Sequence, residues 1–180
     1  MIILASKSPR RKELLSLITD DFTVDSAEVD ETLPSGIEPD KAVEYLSKIK
    51  AQPFRKSGKI VIGADTVVAI DGKILGKPKN EKDAFLMLKN LSGKEHSVFT
   101  GVTVIKNDKE VTFSVQTKVK FFELDDREIE NYISSGEPFD KAGAYGIQGK
   151  GSLFVEKIDG DYFNVVGLPI SRLARQLKSI

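Results

Sequence analysis

Two serines and two arginines stand close together near the start of the chain, in Ala5-Ser6-Lys7-Ser8-Pro9-Arg10-Arg11-Lys12-Glu13-Leu14-Leu15. Hydroxyls and guanidinium forks are the groups that hold phosphate oxygens, and an arginine fork matches those oxygens two at a time. The local pattern places them at a helix start. Ser8 is a good N-cap, Pro9 suits the first helical position, and Leu14, Leu15 and Ile18 supply an apolar side. Backbone N–H groups and the positive end of the helix dipole then face the same place as the arginines, which is the make-up of an anion site. The plainer alternative is a solvated basic first turn, but cations there work against the dipole unless an anion compensates.

A second candidate is Asp65, in the apolar run Ile60-Val61-Ile62-Gly63-Ala64-Asp65-Thr66-Val67-Val68-Ala69-Ile70. A carboxylate within a strand is costly to bury without a metal, a cation or several donors. The small neighbours Gly63 and Ala64 are expected to keep the approach open for a bulky ligand. Three further residues are polar candidates: Glu31 before a Pro/Gly-rich loop, Lys50 on the apolar-side spacing of a helix, and Lys77 in Gly76-Lys77-Pro78. The third segment is Asp140-Lys141-Ala142-Gly143-Ala144-Tyr145-Gly146-Ile147-Gln148-Gly149. Its glycines allow close backbone approach to a planar ligand, and Gln148 has both a donor and an acceptor for a base edge. Tyr145 and Ile147 are apolar anchors, which free linkers rarely carry.

These groups must be positioned by an alternating pattern of strands and helices. Ile2 to Ala5 and Phe22 to Asp25 read as short strands. A loop over 30–39 leads to a helix from about Asp40 to Gln52. Ile60 to Ile70 turns at Asp71-Gly72 into Lys73 to Leu75, and Asn80 caps a helix through Leu91. Strands over Ser97 to Ile105 and Val111 to Phe122 meet at Asn107-Asp108. Asp125 and Glu128 form a capping box for a helix to Ser134. Leu153 to Ile158 and Tyr162 to Val166 read as two strands with a turn at Asp159-Gly160, and Pro169 opens the last helix. The expected fold is α/β, with a large and partly antiparallel sheet in a single domain over 1–180.

Composition narrows the function. The 27 basic residues balance 27 acidic ones, which argues against a dedicated nucleic-acid binder. No apolar run is long enough for a membrane span, and Ile2 to Ala5 is too short for a signal segment, so the expected compartment is the cytoplasm. There is no cysteine and only one histidine, His96. Thiolate and multi-histidine metal sites are therefore ruled out, and an oxygen-held cation such as magnesium or manganese is favoured.

With these motifs in order, joined by Asn164-Val165-Val166-Gly167-Leu168-Pro169, the whole chain resembles the Maf family of nucleotide pyrophosphatases. Within the family it looks like the dTTP/UTP pyrophosphatase branch, whose marker combination is Arg10, Thr66 and Gln148. The resemblance implies an elongated, twisted mixed β-sheet flanked by helices. It also implies two lobes with a deep cleft, similar to the inosine triphosphate pyrophosphatases, and a homodimer. Asp65 corresponds to the family's catalytic proton acceptor, and Arg10, Thr66 and Gln148 to its substrate-specificity positions. Ser6, Ser8, Arg10, Arg11, Lys50 and Lys77 are expected on the phosphates, and Asp65 with Glu31 on Mg2+ or Mn2+; whether Asp65 is a base or a metal ligand stays open. The expected substrates are dTTP and UTP, with 5-methyl-UTP and pseudo-UTP as further candidates, serving nucleotide-pool sanitation or arrest of cell division. The family is also linked to inhibition of septum formation, so the rival is a non-catalytic, nucleotide-sensing regulator.

Overall fold

The computed structural model describes residues 1–180. Strand β1 (Ile2–Ala5) has all four of its residues buried. It pairs in parallel with β2 (Phe22–Asp25) on one side and with β3 (Ile60–Ile70) on the other. After Asp71 and Gly72, both at positive φ, β3 turns back into β4 (Lys73–Leu75) in antiparallel register, as the Asp-Gly signal required. Strands β5 (Glu95–Lys106), β6 (Lys109–Phe121) and β7 (Val155–Asp159) complete a sheet in the order β2-β1-β3-β5-β6-β7, with β4 beside β3. Parallel and antiparallel pairs coexist, so the sheet is mixed. No helix is long and apolar enough to cross a membrane.

The helices are α1 (Pro9–Ser16), α2 (Pro39–Ala51), α3 (Glu81–Leu91), α4 (Asp126–Ile133), α5 (Tyr162–Val166) and α6 (Ile170–Ser179). Their starts follow local chemistry. Asn80 Oδ1 accepts from the Asp83 amide at 2.9 Å. Asp125 and Glu128 close a reciprocal capping box at 2.8 and 2.9 Å. One expectation fails here: residues 162–166 form α5, not a strand. Their Phe-Asn-Val-Val pattern is strand-like, but the main chain is pinned on either side of it. Thr117 Oγ1 donates to the Asp161 carbonyl, and the Phe163 carbonyl accepts from Gly167 and Leu168. The first is a tertiary bond and the other two are the turn's own main-chain bonds, and together they override propensity in so short a segment. The expected strand from Leu153 likewise begins only at Val155, because 149–154 forms a 3₁₀ turn.

The chain divides into two compact units. The first comprises Met1–Thr66, Phe99–Val115 and Phe163–Ile180. Its core gathers β1, Leu14 and Leu15 of α1, Val43 and Leu46 of α2, and Val61, Ile62, Val104, Ile105 and Leu173. The second comprises Val67–Val98 and Gln116–Tyr162, around Leu88, Leu91, Val119, Phe121, Ile129 and Phe154.

Gly63 does not do what its position suggested. A Cβ built on it would meet the Ser47 carbonyl oxygen and the Ala51 side chain. Its missing side chain lets α2 lie against β3, and Ala64 beside it is fully buried. Smallness here serves helix–strand packing instead of ligand access. That close approach is what brings Lys50, near the end of α2, to Asp65 on β3. Gly63→Ala is accordingly expected to lower the free energy of unfolding by about 1–3 kcal/mol, the usual cost of overpacking. Chemical denaturation measures this, and an unchanged midpoint would contradict the packing role.

Candidate active site

In the first unit the basic start of α1 is built as its spacing implied. Ser8 is the N-cap, its Oγ accepts from the Arg11 amide at 3.4 Å, and the first turn contains no acidic residue. Ser6, in the loop after β1, is buried. Its Oγ accepts from the Ser8 amide at 3.3 Å and from Arg11 Nη1 at 3.2 Å. In all three contacts the serine oxygen is the acceptor, so each serine retains its own proton to donate elsewhere.

Arg11 is the centre of this cluster. Its Nε donates to the Gly167 carbonyl at 2.9 Å, its Nη1 to Ser6 Oγ, and its Nη2 to Thr66 Oγ1 at 3.0 Å. All three acceptors are uncharged. One N–H remains on each terminal nitrogen, available to an anion. Desolvation is the main influence on the guanidinium and lowers its pKa. Asp65 and Glu31 act in the opposite sense through space, while Arg10 adds to the lowering. A cation partly stripped of water, and held only by neutral oxygens, is a strong place for an anion.

Lys50, at the C-terminal end of α2, turns inward. Its Nζ donates to Asp65 Oδ1 at 2.5 Å and lies 3.2 Å from Glu31 Oε2. The Lys50 and Asp65 side chains are only 19% and 14% exposed, against 54% for Glu31. The strand carboxylate thus has the cation it needed, and the loop carboxylate joins from the solvent side. No group of three or more His, Asp and Glu side chains gathers to hold a metal. The Asp65–Glu31 pair suits a magnesium-type ion that takes its other ligands from water and substrate phosphates.

Ser6, Ser8, Arg10, Arg11, Glu31, Lys50, Asp65 and Thr66 therefore all belong to the first unit. Arg10 is half-buried on α1 beside Arg11. Lys77 and Gln148 belong to the second unit, and both are exposed.

In that second unit the segment around Gln148 is a built loop. The Gly143 amide donates to the Gly76 carbonyl at 3.0 Å, tying the loop to the segment that carries Lys77. The Gly146 amide donates to Tyr132 Oη at 3.3 Å, and the Lys150 amide to Glu137 Oε1 at 3.1 Å. Tyr145 is buried, with its Oη 2.7 Å from His96 Nε2. Phe121 packs edge-on to both rings, at 4.9 Å from His96 and 4.6 Å from Tyr145. Gly143 faces the Val68 side chain, so this glycine serves packing. Burial pushes the Tyr132 and Tyr145 phenols up, which keeps both protonated.

The family model described as "Maf-like protein" matches residues 1–180. The chain belongs to the Maf family. It is 52% identical to a dTTP/UTP pyrophosphatase of Bacillus pumilus, over 99% of this chain and 95% of that protein. It is 54% identical to a dTTP/UTP pyrophosphatase of Bacillus cereus, over 98% and 94%. Among solved structures it resembles a HAM1 protein from Coxiella burnetii, with a TM-score of 0.54 and 12% identity, over 99% of this chain and 98% of the other. The Staphylococcus aureus Ham1 protein aligns over 67% and 71%, with a TM-score of 0.50 and 17% identity. These last two likenesses concern the fold alone.

Three partners in this Maf chain escaped sequence reading: Thr100, whose Oγ1 lies 2.9 Å from Thr66 Oγ1, the Gly167 carbonyl and His96. A main-chain carbonyl carries no residue signature. Thr100 gave a weak one, a hydroxyl within a strand whose neighbours are apolar. His96 counted only against a metal site, yet it braces the Gln148 loop. Burial depresses its pKa to about 4, with Glu95 opposing weakly. The unfolded chain protonates this group near pH 6.5. The neutral form favoured by folding therefore contributes its full stability above about pH 6.5. That contribution is lost as pH falls towards about 4, on the order of 3 kcal/mol in all. Thermal unfolding of the wild type against His96→Phe over this range measures it. The wild type is expected to lose more stability than the variant, and parallel curves would contradict the assignment.

Proposed function

We propose that this Maf chain hydrolyses dTTP and UTP at the α–β phosphoanhydride, giving the nucleoside monophosphate and pyrophosphate. What carries the reading is one combination. A chain more than half identical to dTTP/UTP pyrophosphatases over nearly its full length has a water-poor arginine held by neutral oxygens. In the same unit it has a strand aspartate paired to a lysine. Anhydride hydrolysis asks a protein mainly for positioning and charge stabilisation, and these groups supply both.

In this reading Arg11 and the proton-bearing hydroxyls of Ser6 and Ser8 bind the phosphate chain, with Arg10 beside them. Lys50 and Lys77 add charge as the pyrophosphate leaves. Lys50 occupies Oδ1 of Asp65, so Oδ2 is the oxygen left for either role, accepting the proton of the attacking water or ligating a metal. Asp65 and Glu31 would hold a magnesium or manganese ion, which when bound polarises the phosphate. Gln148 pairs with the uracil or thymine edge. 5-Methyl-UTP and pseudo-UTP, which keep that edge, are accepted as well. The resemblance extends the reading to a homodimer working on the cytoplasmic nucleotide pool.

Asp65→Asn keeps the shape and removes the charge, so pyrophosphate release from UTP and dTTP is expected to fall about a hundredfold or more. A near-wild-type rate would sink the assignment of Asp65. Gln148→Ala is expected to relax the choice between UTP and the other triphosphates more than it slows turnover of UTP. Steady-state kinetics on a panel of nucleoside triphosphates tests this, and equal losses on every base would speak against a base contact.

A further inference from the structure

The hydroxyls around Arg11 are not equivalent, and the difference traces to a residue one strand away. Thr100, on β5 next to β3 in the sheet, is fully buried. Its Oγ1 donates to the Asn164 carbonyl at 2.9 Å and lies 2.9 Å from Thr66 Oγ1. A carbonyl oxygen has no proton to give, so the single hydroxyl proton of Thr100 is committed to Asn164. Thr100 then faces Thr66 only as an acceptor, and the single proton of Thr66 is committed to Thr100. Arg11 Nη2, which only donates, fills a lone pair of Thr66 at 3.0 Å. The chain of bonds runs one way, from Arg11 through Thr66 and Thr100 to the Asn164 carbonyl on α5. All of it lies within the first unit.

We propose that Thr100 is a positioning residue, which sets the polarity of Thr66 and through it holds the Arg11 fork ready for phosphate. This rests on the reading of Arg11 as a phosphate-binding group. Two consequences distinguish it from a generic packing role. Ser6 and Ser8 keep protons for an anion, whereas Thr66 has none to spare, so Thr66 donates no hydrogen bond to the nucleotide. Its influence on substrate choice is exerted through the placement of Arg11. In addition, each link lends its polarisation to the next, so loss of the far end is felt at the arginine.

The test compares Thr100→Val, which keeps the shape and loses the hydroxyl, with Thr100→Ser, which keeps the hydroxyl and loses the methyl. Binding of inorganic pyrophosphate, measured by calorimetry, is the first readout, and kcat and KM for UTP are the second. Loss of one bond supporting a charged group predicts pyrophosphate binding weakened about tenfold or more in Thr100→Val. Thr100→Ser should stay within about twofold of wild type, as the retained hydroxyl keeps the chain intact. Thr66→Val should weaken binding similarly, and combining it with Thr100→Val should add little further loss, since both break one chain. The opposite order, with the valine variant near wild type and the serine variant impaired, would overturn the proposal in favour of packing, as would simple additivity of the two valine changes. If Thr100→Val does not fold, an impaired Thr100→Ser overturns the proposal and a wild-type-like one supports it. Wild-type protein that binds pyrophosphate but releases none from UTP or dTTP would refute the proposed reaction while leaving the Thr100 comparison decisive.

Discussion

A partly buried guanidinium whose own hydrogen bonds all end on neutral oxygens is the constraint around which the first unit is arranged. Ser6 Oγ, Thr66 Oγ1 and the Gly167 carbonyl come from three places far apart in sequence. Fixing Arg11 therefore requires the loop after β1, the middle of β3 and the turn after α5 to be assembled at once. A buried charge of this kind is expensive unless paired. The pairing is not supplied by a carboxylate in direct contact, so the charge stays available to an anion. The helix start beneath it works in the same direction, since its first turn holds cations and no acid. Taken alone, each of these features costs stability; together they leave a concentrated positive charge open to an anion.

The second arrangement gives the carboxylates a cation of their own. Lys50 sits between Asp65 and Glu31 and keeps both within reach of one cation. It can do so because α2 lies against β3 at Gly63. The same short stretch of β3 thus provides the packing glycine, the carboxylate and the threonine that supports Arg11. A strand is a stiff support, and placing Asp65 and Thr66 on it fixes them more firmly than a loop would. The second unit uses a different device for its own candidates. Gln148 is exposed, but the loop around it rests on buried Tyr145, His96 and Tyr132, so an exposed polar side chain is mounted on an ordered base.

Most of this frame was legible in the sequence because its signals are local. The Ser8-Pro9 start, the Asn80 cap, the Asp125/Glu128 capping box and the Asp71-Gly72 turn are each written in adjacent residues. The inward turn of Lys50 was readable from its helical spacing, and the need of Asp65 for a partner from the apolar run around it. What failed was non-local. Residues 162–166 have strand-like side chains, yet a bond from Thr117, on a distant strand, to the Asp161 carbonyl fixes the main chain where the helical turn begins. Gly63 and Ala64 looked like an opening for a ligand, because nothing in the sequence says that α2 lies against them. The Gly167 carbonyl could not be foreseen from residue identity, and Thr100 gains its meaning only from the neighbouring strand.

Whether Arg11 acts as a fork or merely as a positive charge decides what its neutral cage is for. Arg11→Lys keeps the charge and removes the planar pair of N–H groups. Affinity for inorganic pyrophosphate, measured by calorimetry for the wild type and this variant at one salt concentration, separates the two. Binding is expected to weaken about tenfold or more in the lysine variant, as when a bidentate contact becomes a point charge. Equal affinity in the two proteins would contradict it, since the neutral cage around Arg11 would then have no bearing on how the phosphate chain is held.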